Sequence, residues 1–148
     1  MPLHRFDPKA LSAGTPRFSH PVQVLFQDVD AAGIAFYARI TTWFHDAWFA
    51  FLMDGGLDLP ADLRDGPTLA PMRHAETDYF SPVRFGDRLL AQVVEVHLDG
   101  SDLAVGFRLV RADTGASVAT GQQNHVFVSR DAFQRVEAPA NWRAALGL

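Results

Sequence analysis

The sequence lacks cysteine, clusters of basic residues and long apolar runs, and each absence excludes a class of function. Without cysteine there is no disulfide framework, no cysteine-based zinc site and no thiol nucleophile. The 13 basic residues are scattered among 17 acidic ones, and the net charge is −4, so no basic patch matches a phosphate backbone. We therefore expect no nucleic-acid partner and a chemistry based on carboxylates, histidines, hydroxyls or backbone groups.

The longest apolar run, Ala47–Met53, is far shorter than the roughly 20 residues that span a bilayer. The first eight residues also lack the apolar core of a signal peptide. We therefore expect a cytoplasmic protein with no membrane partner. The 148 residues have ordinary globular proportions, 48% hydrophobic and 20% charged, which predicts a single folded domain.

The chain divides into a short arm and a folded domain. Prolines and a glycine interrupt residues 1–19 without periodicity, which predicts a loosely ordered N-terminal arm before a domain over residues 20–148. Alternating Val22, Val24 and Phe26 predict a strand with one buried face.

One long apolar helix is predicted from Phe36 to Met53, because apolar side chains recur three or four residues apart along it. Glycines at 55 and 56 end it. Four β-like segments and a short helix follow, separated by turn signals, at about 68–80, 88–98, 102–112, 116–128 and 139–146.

This order predicts an α+β fold in which a five-stranded antiparallel sheet wraps one long central helix. A helix with such a wide apolar surface is not covered by five short strands alone. Exposed apolar patches of that size mark assembly surfaces, so we expect a homo-oligomer.

Chemistry is predicted where the first strand leads into this helix. Asp28 and Asp30 lie beside the N–H groups that open the helix, which have no intrahelical acceptor and attract developing negative charge. Helix capping by either aspartate is the alternative interpretation. No third ligand lies nearby in a recognisable spacing, so we expect no metal site.

Two motifs resemble a known family. Residues 28–34 read Asp-x-Asp-x-x-Gly-Ile and precede the aromatic pair Phe36-Tyr37, and residues 79–87 combine an aromatic pair, Ser-Pro and Gly-Asp. With the order of elements, they resemble the 4-hydroxybenzoyl-CoA thioesterase family of hotdog-fold acyl-CoA thioesterases over about residues 20–138.

The resemblance implies roles for individual residues. Asp30 matches the family's catalytic carboxylate, as nucleophile or general base, and the backbone N–H of Tyr37 matches the donor to the thioester carbonyl. Gly33 would let the backbone approach a ligand closely. His74 lies on the segment that resembles the pocket-lining second strand and is a candidate substrate-binding residue. Thioester hydrolysis needs such a carboxylate and such a donor.

The resemblance also implies an acyl-CoA substrate with an aromatic or short to medium acyl group, no cofactor, and pockets between subunits of a dimer or dimer of dimers (a homotetramer). Ile34 replaces the histidine of many relatives and favours the aromatic-acyl branch. The turn at 98–102 lacks the basic residues that the known aromatic-CoA hydrolase uses for the CoA phosphates. Two alternatives stay open: a non-catalytic acyl- or small-ligand-binding hotdog module, and a hydrolase of acyl carrier protein thioesters.

Other conspicuous residues have structural interpretations. The six histidines show no metal-ligand spacing. Aromatic residues of the long helix are expected in the core or between subunits rather than in an acyl-binding box. The polar run Gln122–His125 interrupts an apolar strand, where it either lines a cleft or faces solvent.

Overall fold

The computed structural model describes residues 2–148. These residues form four α-helices and seven strands, with a 3₁₀ turn at Phe26–Asp28. In chain order the elements are α1 (Pro8–Ala13), β1 (Phe18–Gln23), α2 (Tyr37–Asp54), α3 (Leu59–Asp65), β2 (Thr68–Leu69), β3 (Met72–Tyr79), β4 (Arg88–Asp99), β5 (Asp102–Arg111), β6 (Ser117–Val126), β7 (Val128–Ser129) and α4 (Ala140–Leu146).

Five strands form one antiparallel sheet in the order β1-β4-β5-β6-β3, and β2 pairs with β7 in a small second sheet. Helix α2 packs against one face of the large sheet, which we call the inner face. Its buried side chains form the centre of the core: Ile40, Trp43, Phe44, Ala47, Trp48 and Leu52. The predicted architecture, one long helix wrapped by a five-stranded antiparallel sheet, is confirmed.

Helix α2 packs closely on the sheet because a small residue lies opposite one of the aromatic rings of the helix. Phe44 stacks on Phe107 of β5 with ring centroids 5.1 Å apart. A side chain at Gly121 of β6 would lie 2.9 Å from Phe44 Cε2, so this position requires glycine. Among residues 2–148, no helix is both long and apolar enough to cross a membrane.

The segment between α2 and residue 68, for which no element is predicted from the sequence, contains α3. Asp58 accepts a hydrogen bond from the Ala61 N–H at 3.2 Å and Pro60 lies in the first turn, a combination typical of a helix start. Asp62 of α3 accepts a hydrogen bond from Trp142 Nε1 at 2.9 Å, which joins α3 to α4. Tertiary contacts therefore stabilise a helix too short to be stable alone.

The N-terminal arm also differs from the prediction, because it is ordered and packed on the outer face of the sheet. Asp7 caps α1 by accepting a hydrogen bond from the Lys9 N–H at 3.0 Å. Leu11 is buried against Gly106 of β5, where a Cβ would lie 2.5 Å from Leu11 Cδ2. Glycine at 106 thus makes room for the arm.

Polar side chains on the outer face hold the arm by its backbone. Arg108 Nη1 donates to the carbonyl oxygens of Leu11, Ser12 and Gly14 at 3.3, 2.7 and 3.0 Å. Arg108 Nε donates to Gln92 Oε1 at 2.9 Å. One half-buried guanidinium therefore satisfies the carbonyl groups at the end of α1.

The polar run in β6 supplies the second attachment. Gln122 Nε2 and Asn124 Nδ2 both donate to the carbonyl of His4, at 2.8 and 3.0 Å, and the Phe6 N–H donates to Gln122 Oε1 at 2.9 Å. Gln123 and His125 alternate with them and face inward. The whole run is buried, so the solvent-facing interpretation of this patch is wrong.

We predict that Arg108→Met releases the arm. Loss of charge-assisted hydrogen bonds to three carbonyls costs about 2 kcal/mol, which raises the population of the detached arm by at least about tenfold. Lys9 in α1 is the only lysine, so the endoproteinase Lys-C measures this population directly.

Cleavage after Lys9 is expected to be faster in Arg108→Met than in the wild type. The matched control is Arg64→Met, which removes an exposed arginine whose one side-chain partner within residues 2–148 is its neighbour Asp65. Equal cleavage rates in Arg108→Met and wild type would contradict the role of Arg108.

Candidate active site

A buried aspartate organises the loop between β1 and α2. Asp28 is 5% exposed, and its Oδ2 accepts a hydrogen bond from the Leu25 N–H at 2.8 Å. Its carbonyl oxygen accepts another from the Phe36 N–H at 2.8 Å. Arg39 Nε lies 3.6 Å from Asp28 Oδ1 and balances the charge. Asp28 thus connects the start of the loop to the start of the helix.

Asp30 lies at the tip of this loop in a tight turn. Its N–H donates to the Ile34 carbonyl at 2.9 Å, and the Gly33 N–H donates to the Asp30 carbonyl at 3.0 Å. Gly33 has φ +78°, in the left-handed region that favours glycine, so the turn itself requires this residue. The Ala32 N–H donates to Asp30 Oδ1 at 2.8 Å, which orients the exposed carboxylate.

The N–H of Tyr37 is available at the start of α2. Tyr37 is the first helical residue, so no intrahelical carbonyl accepts from its N–H. The Phe36 N–H is occupied by Asp28, and the Arg39 N–H donates to the Phe36 carbonyl at 2.9 Å. Within residues 2–148, no acceptor contacts the Tyr37 N–H, which leaves it free to bind an oxygen atom of a ligand.

Asp30 and Tyr37 line the same cleft, of about 400 Å³. The end of β3 and the residues after it form the opposite wall. The Ala35 N–H donates to the Val83 carbonyl at 2.8 Å and holds the two walls together. The other lining residues are Ile34, Ile40, Tyr79, Phe80, Ser81 and Pro82.

Tyr79 connects the two walls of the cleft by its side chain, a role that the sequence analysis missed. Its hydroxyl donates to the Tyr37 carbonyl at 3.1 Å. Burial raises the pKa of Tyr79, which keeps the hydroxyl protonated as a donor. The aromatic pair of the second motif indicated a site here, but Tyr79 contacts a residue 42 positions earlier in the chain, which local sequence patterns do not predict.

His74 lies elsewhere. Its side chain is on the outer face of β3, where Nε2 lies 3.2 Å from Glu76 Oε2, and Arg5 from the arm pairs with the same carboxylate. Burial acts to raise the pKa of Glu76, but the hydrogen bonds from Arg5 and His74 outweigh it and lower the pKa. The structure therefore brings Asp30 and Tyr37 together but places His74 outside the residues that line their cleft.

Large aromatic side chains on the two chain segments that contribute to the cleft, before α2 and after β3, remain exposed. Phe26 is 79% exposed and contacts Phe85 edge-to-face with ring centroids 6.1 Å apart. Tyr37 and Phe80 are 64% and 53% exposed. An apolar surface of this kind suits an aromatic ligand or a second protein subunit.

The geometry suits attack on a carbonyl group. A carbonyl oxygen at the Tyr37 N–H would face a helix N-terminus, which stabilises developing negative charge. The Asp30 carboxylate lines the same cleft and has one oxygen, Oδ2, without a hydrogen bond in the described part of the chain. A carboxylate and an oxyanion donor are the two groups that thioester hydrolysis requires.

Comparisons with known proteins agree with this chemistry. The profile described as the thioesterase-like superfamily matches residues 24–146. Two proteins named 1,4-dihydroxy-2-naphthoyl-CoA hydrolase are similar: one from Rippkaea orientalis is 28% identical over 113 residues, 76% of this chain and 82% of the relative. One from Synechococcus sp. CC9605 is 32% identical over 121 residues, 78% of this chain and 80% of the relative.

A solved structure shares the fold. The crystal structure of a 1,4-dihydroxy-2-naphthoyl-CoA thioesterase from Synechocystis superposes with a TM-score of 0.82 at 24% identity, covering 88% of this chain and 95% of that one. The hotdog fold and the enzyme class, a thioester hydrolase, are confirmed. Membership in the narrower 4-hydroxybenzoyl-CoA thioesterase family stays a prediction. The chain belongs to the thioesterase-like superfamily of hotdog-fold proteins.

Proposed function

We propose that the protein hydrolyses the thioester of an aromatic acyl-CoA, with Asp30 and the Tyr37 N–H as its reaction centre. The observation that carries the proposal is that these two groups line one cleft at the start of α2. The relatives named hydrolases of 1,4-dihydroxy-2-naphthoyl-CoA support an aromatic acyl group. The aromatic side chains around the cleft suit such a group.

The proposed reaction begins with the thioester carbonyl oxygen accepting a hydrogen bond from the Tyr37 N–H. Asp30 either attacks the acyl carbon, forming a mixed anhydride that water then hydrolyses, or removes a proton from a water molecule that attacks directly. In both routes the carbon–sulfur bond breaks, and the free acid and the CoA thiol leave. The Tyr37 N–H stabilises the oxyanion in both.

Gly33 and His74 contribute differently in this proposal. Gly33 acts through the turn that carries Asp30, because its positive φ closes that turn. A substrate-binding role for His74 stays a prediction, since its imidazole pairs with Glu76 on the outer face.

Binding of the CoA part of the substrate requires groups outside the turn between β4 and β5. Asp102 at this turn already pairs with Arg73 and Arg135, each at 2.9 Å. Both of these arginines are therefore engaged by the Asp102 carboxylate. An acyl carrier protein, the second carrier considered, is itself acidic and needs positive charge too.

The non-catalytic binding module is the competing function, and it has an observation in its favour. Asp30 accepts the Ala32 N–H, a contact that stabilises the turn whether or not chemistry occurs. In that case Asp30 serves only as a local cap, and the cleft holds an acyl ligand without cleaving it.

Thiol release from a panel of acyl-CoAs decides between these functions. We expect the purified protein to hydrolyse aryl-CoAs faster than fatty acyl-CoAs in an assay with the thiol reagent DTNB, because the cleft is lined by aromatic side chains. The same acyl group on acyl carrier protein tests the carrier. Binding of acyl-CoA without any thiol release would favour the non-catalytic module.

Asp30→Asn is expected to lower kcat by about 10²- to 10⁴-fold, because it removes the nucleophile or base. The melting temperature should not change, since asparagine Oδ1 still accepts the Ala32 N–H. Asp113→Asn is the matched control: Asp113 is exposed and accepts the neighbouring Thr114 N–H at 2.8 Å in a turn. Full activity of Asp30→Asn would remove Asp30 from the mechanism.

We also propose that the protein is a homo-oligomer, a dimer or a dimer of dimers. The exposed aromatic surface and the edge strand β3 both adjoin the cleft, so a second copy placed there would cover apolar area and enclose the substrate. Light scattering after size-exclusion chromatography should give at least twice the 16.3 kDa of one chain. A monomeric mass at assay concentrations would contradict this.

A further inference from the structure

The phosphates of CoA require positive charge, and few basic side chains of this chain are free to supply it. The net charge is −4. Nine of the 13 basic residues donate to carboxylates or to backbone carbonyls within residues 2–148. The four side chains without such an acceptor in that part of the chain are those of Lys9, Arg17, Arg84 and Arg88. A phosphate group that binds a basic side chain of this protein is therefore expected at one of these four.

Arg84 is the member of this group that adjoins the candidate active site. It follows Pro82 and Val83, which line the cleft. It also forms an isolated β-bridge with Ile34, which lines the cleft from the opposite wall. The other three lie in α1, just before β1 and at the start of β4. Arg84 is thus built into the contact between the two walls.

Asp30, Ile34 and Arg84 lie side by side across three neighbouring segments of backbone. The Asp30 N–H donates to the Ile34 carbonyl at 2.9 Å, and the adjacent residues Val29 and Ala35 form an antiparallel bridge. Ile34 in turn pairs with Arg84 in antiparallel orientation. Residues directly opposite each other in antiparallel segments project their side chains to the same side. The side chains of Asp30 and Arg84 therefore leave the same face of this small ladder, with Ile34 between them.

The spacing of this ladder fits the pantetheine arm of CoA. Neighbouring antiparallel segments lie about 5 Å apart, so the Cα atom of Arg84 is about 10 Å from that of Asp30. The arginine side chain reaches several ångströms further. About 13 bonds separate the CoA sulfur from the first phosphorus, as many as in about four residues of backbone, which span about 14 Å when extended. A thioester held at Asp30 thus brings this phosphate within reach of the Arg84 guanidinium.

The Arg84 guanidinium is exposed and keeps its donors for a ligand. The neighbouring carboxylate, Asp87, fixes the backbone of Arg84 instead, because its Oδ2 accepts the Arg84 N–H at 2.8 Å and Arg111 Nη1 at 3.1 Å. The hydrogen bond from the Arg84 N–H, assisted by Arg111, lowers the pKa of Asp87. Arg39, in the first turn of α2, already pairs with Asp28. Arg84 is therefore a cation beside the cleft whose side chain is not engaged within residues 2–148.

We propose that Arg84 binds the phosphate that is attached to the pantetheine arm of CoA. The proposal rests on the proposed function, and it places this phosphate at the segment after β3 rather than at the turn between β4 and β5. The planar guanidinium donates to two phosphate oxygens at once, a geometry that arginine favours. Arg84 thereby positions the substrate and takes no part in breaking the carbon–sulfur bond.

The test compares benzoyl-4′-phosphopantetheine with benzoyl-pantetheine, which differ by this one phosphate, as substrates of the wild-type protein. We expect kcat/KM to be at least about tenfold higher for the phosphorylated substrate, because the other lacks the charge-assisted pair. The difference should lie in KM, since the phosphate is remote from the reacting carbonyl. Equal kcat/KM values overturn the proposal and leave the proposed function intact. Absence of hydrolysis of both thioesters and of benzoyl-CoA overturns both.

Arg84→Met then tests the residue. It removes the charge from an exposed side chain without a partner in the described chain, so the fold should persist while the ratio of the two kcat/KM values falls to about one. Arg17→Met is the matched control, because Arg17 is also exposed and without an acceptor but lies beside β4, where its N–H donates to the Val93 carbonyl at 2.8 Å. It should keep the wild-type ratio. A wild-type ratio in Arg84→Met, or an equal loss in Arg17→Met, overturns the role of Arg84.

Discussion

The geometry of the candidate active site depends on the buried carboxylate of Asp28. Its side chain holds the Leu25 N–H and its carbonyl holds the Phe36 N–H, so a single residue fixes both ends of the loop between β1 and α2. The Arg39 guanidinium pairs with the Asp28 carboxylate, so this buried negative charge is compensated. With both ends fixed, the tip of the loop carries Asp30 into the cleft that the Tyr37 N–H lines.

The two faces of the sheet serve different purposes. The outer face is polar and holds the N-terminal arm through backbone carbonyls, with Arg108 and Gln122 as the main donors. The inner face packs against α2, and its edge at β3 stays open beside the cleft. The N-terminal arm covers the outer face, whereas the exposed aromatic residues Tyr37, Tyr79 and Phe80 lie at the cleft of the proposed reaction centre. Substrate binding and the proposed assembly therefore use the same side of the molecule.

Local patterns predicted much of this structure. The spacing of apolar residues fixed α2 to within one residue at each end, and the motif around Asp30 identified the loop that reaches the cleft. The ordered arm was not predictable, because α1 is held by Arg108, nearly a hundred residues away. The contact between Tyr79 and Tyr37 and the pairing of Arg84 with Ile34 are also non-local. Sequence periodicity predicts which residues are buried, but it does not predict which residues distant in the chain each of them contacts.

The most direct test of the account follows the backbone N–H of Tyr37 by NMR. Asp30→Asn, uniformly labelled with ¹⁵N, is titrated with an aryl-CoA that it hydrolyses slowly. We predict that the Tyr37 amide proton moves downfield on binding, because it donates to the thioester carbonyl, whereas amides of the outer face stay unchanged. Saturable binding that leaves the Tyr37 amide unshifted would contradict the assignment of the reaction centre to the start of α2.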